Sequence, residues 1–88
     1  MGKVAVEFVV MPKGVEIDMT KLRARVESAL AEIAKPQRME EKPIAFGLRA
    51  LHVHLIVNDE GGIVDRIEKA LRNIDDVESA EAVSVTLI

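Results

Sequence analysis

The sequence contains Leu51-His52-Val53-His54-Leu55-Ile56-Val57-Asn58, in which Leu or Val stands at every second position. Successive side chains of a strand point to opposite faces, so this spacing predicts a β-strand with one buried face. The intervening positions place two histidines on the other face. We expect a strand from Leu48 to Asn58 near the centre of a sheet.

The residues before this strand predict a strand, a helix and a short edge strand. Residues 3–11 alternate in the same way, and after Asp18 or Thr20, either of which can cap a helix, apolar residues recur at helical spacing: Leu22, Val26, Ala29, Leu30 and Ile33. The helix is expected to run to Lys35-Pro36, because proline lacks a backbone donor. Residues 37–43 are polar, and their charges are typical of an edge strand that resists aggregation.

The residues after Asn58 predict a turn, a second helix and a last strand. Asn58-Asp59-Glu60-Gly61-Gly62 is the turn, and apolar residues recur at helical spacing from Ile63 to Ile74, where Asp75-Asp76 ends the helix. Residues 82–88 alternate as a strand. The order β-α-β-β-α-β predicts an α+β, ferredoxin-like fold: a four-stranded antiparallel sheet with both helices on one face. The other face, with Glu7, His52 and His54, stays uncovered.

Composition limits the possible functions. At 88 residues, with 49% apolar residues and 31% charged, residues 1–88 are expected to form a single globular domain. There is no cysteine and no apolar run long enough to span a membrane, so we expect a cytoplasmic protein without a membrane partner. A formal charge of −3 gives no overall attraction to nucleic acid, and a protein partner is the simpler expectation.

Several functions known for ferredoxin-like domains lack their residues here. A small acylphosphatase needs an arginine in the loop between the first strand and the first helix, and residues 12–18 contain none. An RNA-recognition module stacks bases on exposed aromatic residues of its strands, whereas Phe8 stands at one of the alternating positions that we expect to be buried. A metal chaperone needs a cysteine pair.

Two binding functions stay open from the residues alone. His52 and His54 project from one strand face and could hold zinc with a third ligand, for which Glu7 is the candidate, although two half-exposed strand residues are the commoner explanation. A small-ligand-binding, self-associating regulatory domain needs only glycine-containing turns and an interface. Gly61-Gly62 fits an ordinary turn before a helix better than a phosphate loop, since two acids precede it.

The segment Pro43-Ile44-Ala45-Phe46-Gly47-Leu48-Arg49-Ala50-Leu51 places one of only two phenylalanines in a bend between a proline and a glycine. Loops tend to carry function, and the aromatic and arginine side chains suit a binding hot spot. Phe46 is therefore interpreted as a contact residue, with a fold back over the end of the core as the alternative. Ile44 and Leu48 are expected to act as apolar anchors.

The chain resembles the archaeal form of translation elongation factor 1-beta, the guanine-nucleotide exchange factor for the elongation factor 1-alpha GTPase. The resemblance covers the whole chain. It rests on the start Met1-Gly2-Lys3-Val4, Val10-Met11-Pro12, the segment Glu41 to Leu51 with its Pro-Ile-Ala-Phe-Gly-Leu core, and the turn Asp59-Glu60-Gly61-Gly62.

The resemblance implies nucleotide exchange without covalent chemistry: no catalytic acid or base, no cofactor, and a protein partner, elongation factor 1-alpha, whose GDP is released during polypeptide elongation. It implies that Phe46 inserts into the GTPase. We expect its neighbours Ile44, Gly47, Arg49 and Lys42 to form the binding edge around it. Eukaryotic relatives carry a lysine before their last residue, whereas this chain ends Thr86-Leu87-Ile88. A cation from the tail therefore takes no part in the expected mechanism.

Overall fold

Strands and helices follow one another in the predicted order β-α-β-β-α-β in the computed structural model, which describes residues 2–88. The elements are β1 (Lys3–Pro12), α1 (Met19–Ala29), β2 (Arg38–Pro43), β3 (Arg49–Asn58), α2 (Ile63–Arg72) and β4 (Val77–Leu87). All strand pairs are antiparallel, in the order β2-β3-β1-β4. The ferredoxin-like α+β fold is confirmed, with β3 in the interior of the sheet as predicted.

The core lies between the sheet and the two helices. Alternate residues of the two inner strands meet there, with Val6 opposite Leu55 and Phe8 opposite Val53. The helices contribute fully buried Leu22, Val26, Ile67 and Leu71. Burying each such side chain stabilises the fold by about 1.5–3 kcal/mol. The period-2 and helical patterns of the sequence therefore account for most of the core.

The two helices begin differently. Asp18 caps α1, and its Oδ1 accepts hydrogen bonds from the backbone N–H of Thr20 at 2.9 Å and of Lys21 at 3.3 Å. Of the two predicted cap residues, Asp18 is therefore the one used. The cap residue of α2 is Gly62, whose φ of 80° lies in the left-handed region that glycine adopts without strain.

Both helices end earlier than predicted. Helix α1 ends at Ala29, and Leu30 to Ile33 form a turn in which the Ile33 N–H donates to Leu30 O at 2.9 Å. Leu30 is nevertheless fully buried. In the same way α2 ends at Arg72, and Ile74 packs into the core from the following turn. The apolar spacing predicted the burial of Leu30 and Ile74 correctly. It did not distinguish a further turn of helix from a non-helical turn, because either can bring these side chains into the core.

Strand β4 begins at Val77, earlier than the predicted start at residue 82. Val77 pairs with Pro12, and Ala80, which is fully buried, pairs with Val10. The charged residues Glu78 and Glu81 hid this part of the strand, because they lie on its exposed positions. The register shifts between Glu7 and Phe8, which pair with Ser84 and Ala82, so Val83 is the extra residue of a β-bulge.

Neither helix of residues 2–88 covers the opposite face of the sheet, as predicted. This uncovered face carries side chains between half-buried and exposed, including Glu7, His52, His54 and Ile56. Ala50 lies on this face too, opposite Lys42, and is nevertheless buried. Among residues 2–88, no helix has both the length and the apolar character needed to cross a bilayer.

Candidate functional site

The loop between β2 and β3 is a tight hairpin with Phe46 at its tip. The Leu48 N–H donates to Ala45 O at 3.1 Å, and the Ile44 N–H donates to Leu48 O at 2.8 Å. Phe46 and Gly47 are the two central residues of the turn, with φ of 58° and 79°. Two central residues at positive φ are the pattern of a type I′ turn, whose twist matches that of the strands it joins.

Phe46 is held in a backbone conformation that bulky residues avoid. Within residues 2–88 it is the one residue other than glycine at positive φ. The left-handed conformation brings Cβ close to the following carbonyl and costs a non-glycine residue about 1–2 kcal/mol. Asn-Gly or Gly-Gly would form this turn with less strain. The phenylalanine therefore adopts a conformation against the local preference of the backbone, and residues in such conformations cluster at functional sites.

The ring of Phe46 projects into solvent. The residue is 97% exposed, so the alternative that it folds back over the core is wrong. Ile44, in the same hairpin, is 52% exposed, and Val15, in the loop after β1, is 62% exposed. A Cβ built on Gly47 would lie 3.6 Å from Val15 Cγ1, which places the two loops in contact. Ile44, Phe46 and Val15 are the exposed apolar residues of these two neighbouring loops and are here called the tip.

Glu41 links Arg49, at the base of the hairpin, to the first helix. Its Oε1 lies 3.4 Å from Arg49 Nη1, and its Oε2 lies 3.2 Å from Nη2 of Arg23 on α1. Exposed ion pairs contribute little stability singly, but a carboxylate shared by two arginines restricts both side chains. A cleft of about 210 Å³ lies beside these groups and is lined by Pro12, Val15, Asp18, Glu41, Gly47 and Arg49, among others.

The five residues predicted for the binding edge do not all lie on one side. Phe46, Ile44 and Gly47 share the hairpin, and Arg49 lies at its base on the side of Glu41 and α1. Lys42 pairs with Ala50 and follows Glu41 in β2, so its side chain lies on the opposite, uncovered face of the sheet. Lys42 is thus separated from the Arg49 side of the tip.

Sequence reasoning missed Val15, Glu41 and Arg23. Val15 had a signal, since it is an apolar residue in the loop Pro12-Lys13-Gly14-Val15-Glu16, where no core periodicity requires it. Glu41 and Arg23 had none, because their contact joins β2 to a helix that is distant in sequence. Only the packing of α1 against the sheet brings them together.

The histidines form carboxylate pairs on the uncovered face. His52 Nδ1 lies 2.7 Å from Glu7 Oε2, and His54 Nε2 lies 3.4 Å from Glu40 Oε1. The hydrogen bond from His52 lowers the pKa of Glu7 below its ordinary value of 4.5. Across residues 2–88 no three His, Cys, Asp or Glu side chains converge as metal ligands would. Each histidine thus lies beside one carboxylate on this face.

The chain matches the family model described as the EF-1 guanine nucleotide exchange domain over residues 5–88. It is 43% identical over 81 residues to elongation factor 1-beta of Natronomonas pharaonis, covering 92% of each chain, and 41% identical to that of Methanosphaerula palustris, covering 99% of each. The chain belongs to the elongation factor 1-beta family. The resemblance inferred from the motif around Phe46 is confirmed.

A solved structure outside this family has the same fold. The C-terminal domain of the MgtC protein from Mycobacterium tuberculosis superposes with a TM-score of 0.60 over 93% of this chain and 85% of that chain. Its sequence identity of 17% supports likeness of fold alone. Membership of the elongation factor 1-beta family therefore rests on sequence, and the hairpin tip is the feature of this fold that needs a functional explanation.

Proposed function

We propose that this chain promotes the release of GDP from elongation factor 1-alpha, and that Phe46 is the side chain that drives release by inserting into the GTPase. Membership of the elongation factor 1-beta family supports an exchange role in translation. The observation that carries the mechanism is the Phe46 ring, which is fully exposed on a strained turn. This is a binding function rather than the catalysis of a chemical reaction.

Exchange requires only that the factor bind one state of the GTPase better than another. A ligand shifts an equilibrium by its difference in affinity for the two states. Suppose that the tip fits a pocket of the GTPase that is open when nucleotide is held weakly. Binding of this chain then lowers the affinity of the GTPase for GDP, and GDP lowers its affinity for this chain by the same ratio. An apolar ring suits this role because its gain on burial depends on whether a pocket is available.

The energy available from Phe46 is sufficient for a large rate effect. Removing a phenylalanine side chain from water contributes about 1.5–3 kcal/mol, and aromatic hot spots commonly exceed 2 kcal/mol. The turn adds to this, because its two hydrogen bonds fix the loop before binding and so reduce the entropy lost on association. The strain at Phe46 is already present in the folded chain, so association adds no further backbone cost.

The surroundings of Phe46 have separate roles in this proposal. Ile44 and Val15 form an apolar rim that excludes water around the inserted ring. Arg49 is available to acidic or carbonyl groups of the GTPase, with Glu41 restricting its position. Gly47 permits the turn, and Lys42 contacts the GTPase only if the interface wraps to the uncovered face.

The test is the dissociation rate of a fluorescent GDP analogue from purified archaeal elongation factor 1-alpha. The wild-type chain is expected to accelerate release, and Phe46→Ala to reduce the acceleration about 30-fold, the factor for 2 kcal/mol. Ile56→Ala is the matched control, because Ile56 is an exposed apolar residue on the uncovered face. A wild-type chain without effect contradicts the exchange role. An active Phe46→Ala variant contradicts the mechanism alone.

A further inference from the structure

The two edges of the sheet differ in their protection against pairing with another strand. The β2 edge is short, carries four charged residues in Arg38-Met39-Glu40-Glu41-Lys42-Pro43, and ends in a proline. These are the devices by which proteins prevent edge association. The β4 edge is longer, at 11 residues, and from Ala82 to Ile88 its one such device is the bulge at Val83, since the segment contains no charged side chain, no proline and no glycine. That segment is typical of a strand that pairs with a partner.

The backbone of β4 has free hydrogen-bonding groups along this segment. The Ile88 N–H donates to Lys3 O of β1, so Ile88 and Thr86 turn their backbone groups toward β1. By alternation, Val85 and Leu87 turn theirs away from β1, on the side where residues 2–88 form no further strand. Their side chains are also more than half exposed. Unpaired amides and apolar side chains therefore occupy the same short stretch.

We propose that β4 pairs with β4 of a second copy of this chain about a two-fold axis at Val85. In this antiparallel register Val85 faces Val85, Leu87 faces Val83 and Ser84 faces Thr86. The outward groups of Val85 and Leu87 then meet partners, apolar residues face apolar residues, and hydroxyls face hydroxyls. The ladder ends before Glu81, so no charged side chain enters it. Centring the axis on Thr86 would leave Val83 outside the ladder.

A second copy fits this edge better than an unrelated strand because the segment complements itself. The ladder spans seven residues, or about 23 Å at about 3.3 Å per residue. Such a contact lies at the small end of specific interfaces, so we expect a reversible dimer with a Kd on the order of micromolar or weaker. The result is a continuous sheet of eight strands.

The dimer leaves both tips accessible. Phe46 lies in the hairpin beside the start of β3, whereas Val85 and Leu87 pair with Val6 and Val4 near the start of β1, at the opposite end of the antiparallel sheet. A dimer therefore presents two Phe46 side chains at its far ends. Self-association and nucleotide release are separable properties, and failure of one leaves the other standing.

The experiment is the molar mass of the full chain by sedimentation equilibrium from about 1 μM to 1 mM, a range set by the expected Kd. We expect a monomer–dimer equilibrium for the wild type. Val85→Lys and Val85→Glu, which place like charges at the axis, are each expected to weaken dimerisation at least about tenfold. Mixing the two variants in equal amounts should restore a dimer at low salt.

Ile56→Lys is the control, since it adds the same charge at an exposed apolar position two strands from this edge, and it should dimerise like the wild type. Circular dichroism and thermal unfolding establish whether each variant is folded. If Val85→Lys or Val85→Glu does not fold, Val85→Pro takes its place. An edge strand tolerates proline where its N–H faces solvent, whereas the ladder between two copies needs the N–H of Val85, which proline lacks. A wild type that is monomeric at 1 mM, or a dimer unaffected by the Val85 variants, overturns the proposal.

Discussion

The two phenylalanines of this chain occupy opposite environments. Phe8, in β1, is 0% exposed and packs between the sheet and the helices, whereas Phe46 is 97% exposed at the tip of the hairpin. Phe8 has an ordinary strand conformation, whereas Phe46 is at positive φ. The same side chain thus contributes to folding at one site and opposes it at the other. The difference shows that residue type alone does not separate a core residue from a contact residue.

The largest expected effect is that of Phe8→Ala on stability. Truncating a fully buried phenylalanine removes its apolar burial and leaves a cavity, which costs about 3–5 kcal/mol and is a large share of the stability of a small domain. Urea unfolding followed by circular dichroism measures this loss. Phe46→Ala is the matched control and should change the free energy of unfolding by less than about 0.5 kcal/mol. If Phe8→Ala and Phe46→Ala lost equal free energy of unfolding, the contrast between a core phenylalanine and an exposed one would be contradicted.

Gly47→Ala tests the turn that presents Phe46. A Cβ at this position meets only Val15 Cγ1, at the ordinary contact distance of 3.6 Å, so strain at φ 79° is the main consequence. We expect a loss of about 1 kcal/mol in the free energy of unfolding and weaker exchange activity, because the tip is no longer fixed. Gly61→Ala is the control, because the φ of Gly61 itself is not positive and the space around it is open. A Gly47→Ala variant as stable as the parent would contradict the strained geometry.

Phe46→Asn is expected to act in the opposite direction on stability. Asparagine tolerates the left-handed region, and Asn-Gly is the preferred pair for a type I′ turn, so the free energy of unfolding should rise by up to about 1 kcal/mol. Exchange activity should fall, because the apolar ring is gone. Thermal and urea unfolding, together with GDP release, measure both properties on one variant. A less stable Phe46→Asn variant would show that the ring supports the fold.

The smallest expected effect concerns Glu7, the neighbour of Phe8 on the opposite face of β1. Its pKa is lowered in the folded chain, chiefly by the hydrogen bond from His52. A carboxylate with a lowered pKa stabilises the fold above its unfolded pKa, and this contribution is lost as the pH falls through the folded value.

Urea unfolding at several pH values from 6 to 3 checks this effect. The wild type should lose its stability advantage over Glu7→Gln as the pH falls below about 4.5. Glu16→Gln, which removes a carboxylate charge at an exposed loop position, is the control. An advantage that persists at low pH would show that the Glu7–His52 pair does not stabilise the ionised form.

The fold could be predicted because its information is local and periodic. Alternation in β1 and β3 identified the inner strands and their buried faces, and helical spacing identified Leu22, Val26, Ile67 and Leu71. The ends of α1 and α2 could not be predicted, because Leu30 and Ile74 reach the core from turns. The first half of β4 was missed because exposed glutamates interrupt its alternation.

The candidate site could be predicted only in part. Phe46 stood out because an aromatic residue beside glycine in a bend has no role in the periodic core. Its exposure and positive φ could not be read from the sequence, since a ring in a loop can fold inward or outward. Val15 joins the tip through the contact of two loops, and Glu41 joins Arg49 to α1. Such contacts depend on the assembled fold.

The central claim is that Phe46 gives the chain a preference for the GTPase without nucleotide. The direct measurement is the affinity of wild type and Phe46→Ala for elongation factor 1-alpha, each in the nucleotide-free and the GDP-bound state, by titration calorimetry. We predict that Phe46→Ala weakens binding to the nucleotide-free GTPase by about 30-fold and to the GDP-bound GTPase by less than about threefold. Equal weakening in both states would contradict the account, because Phe46 would then add affinity without favouring release.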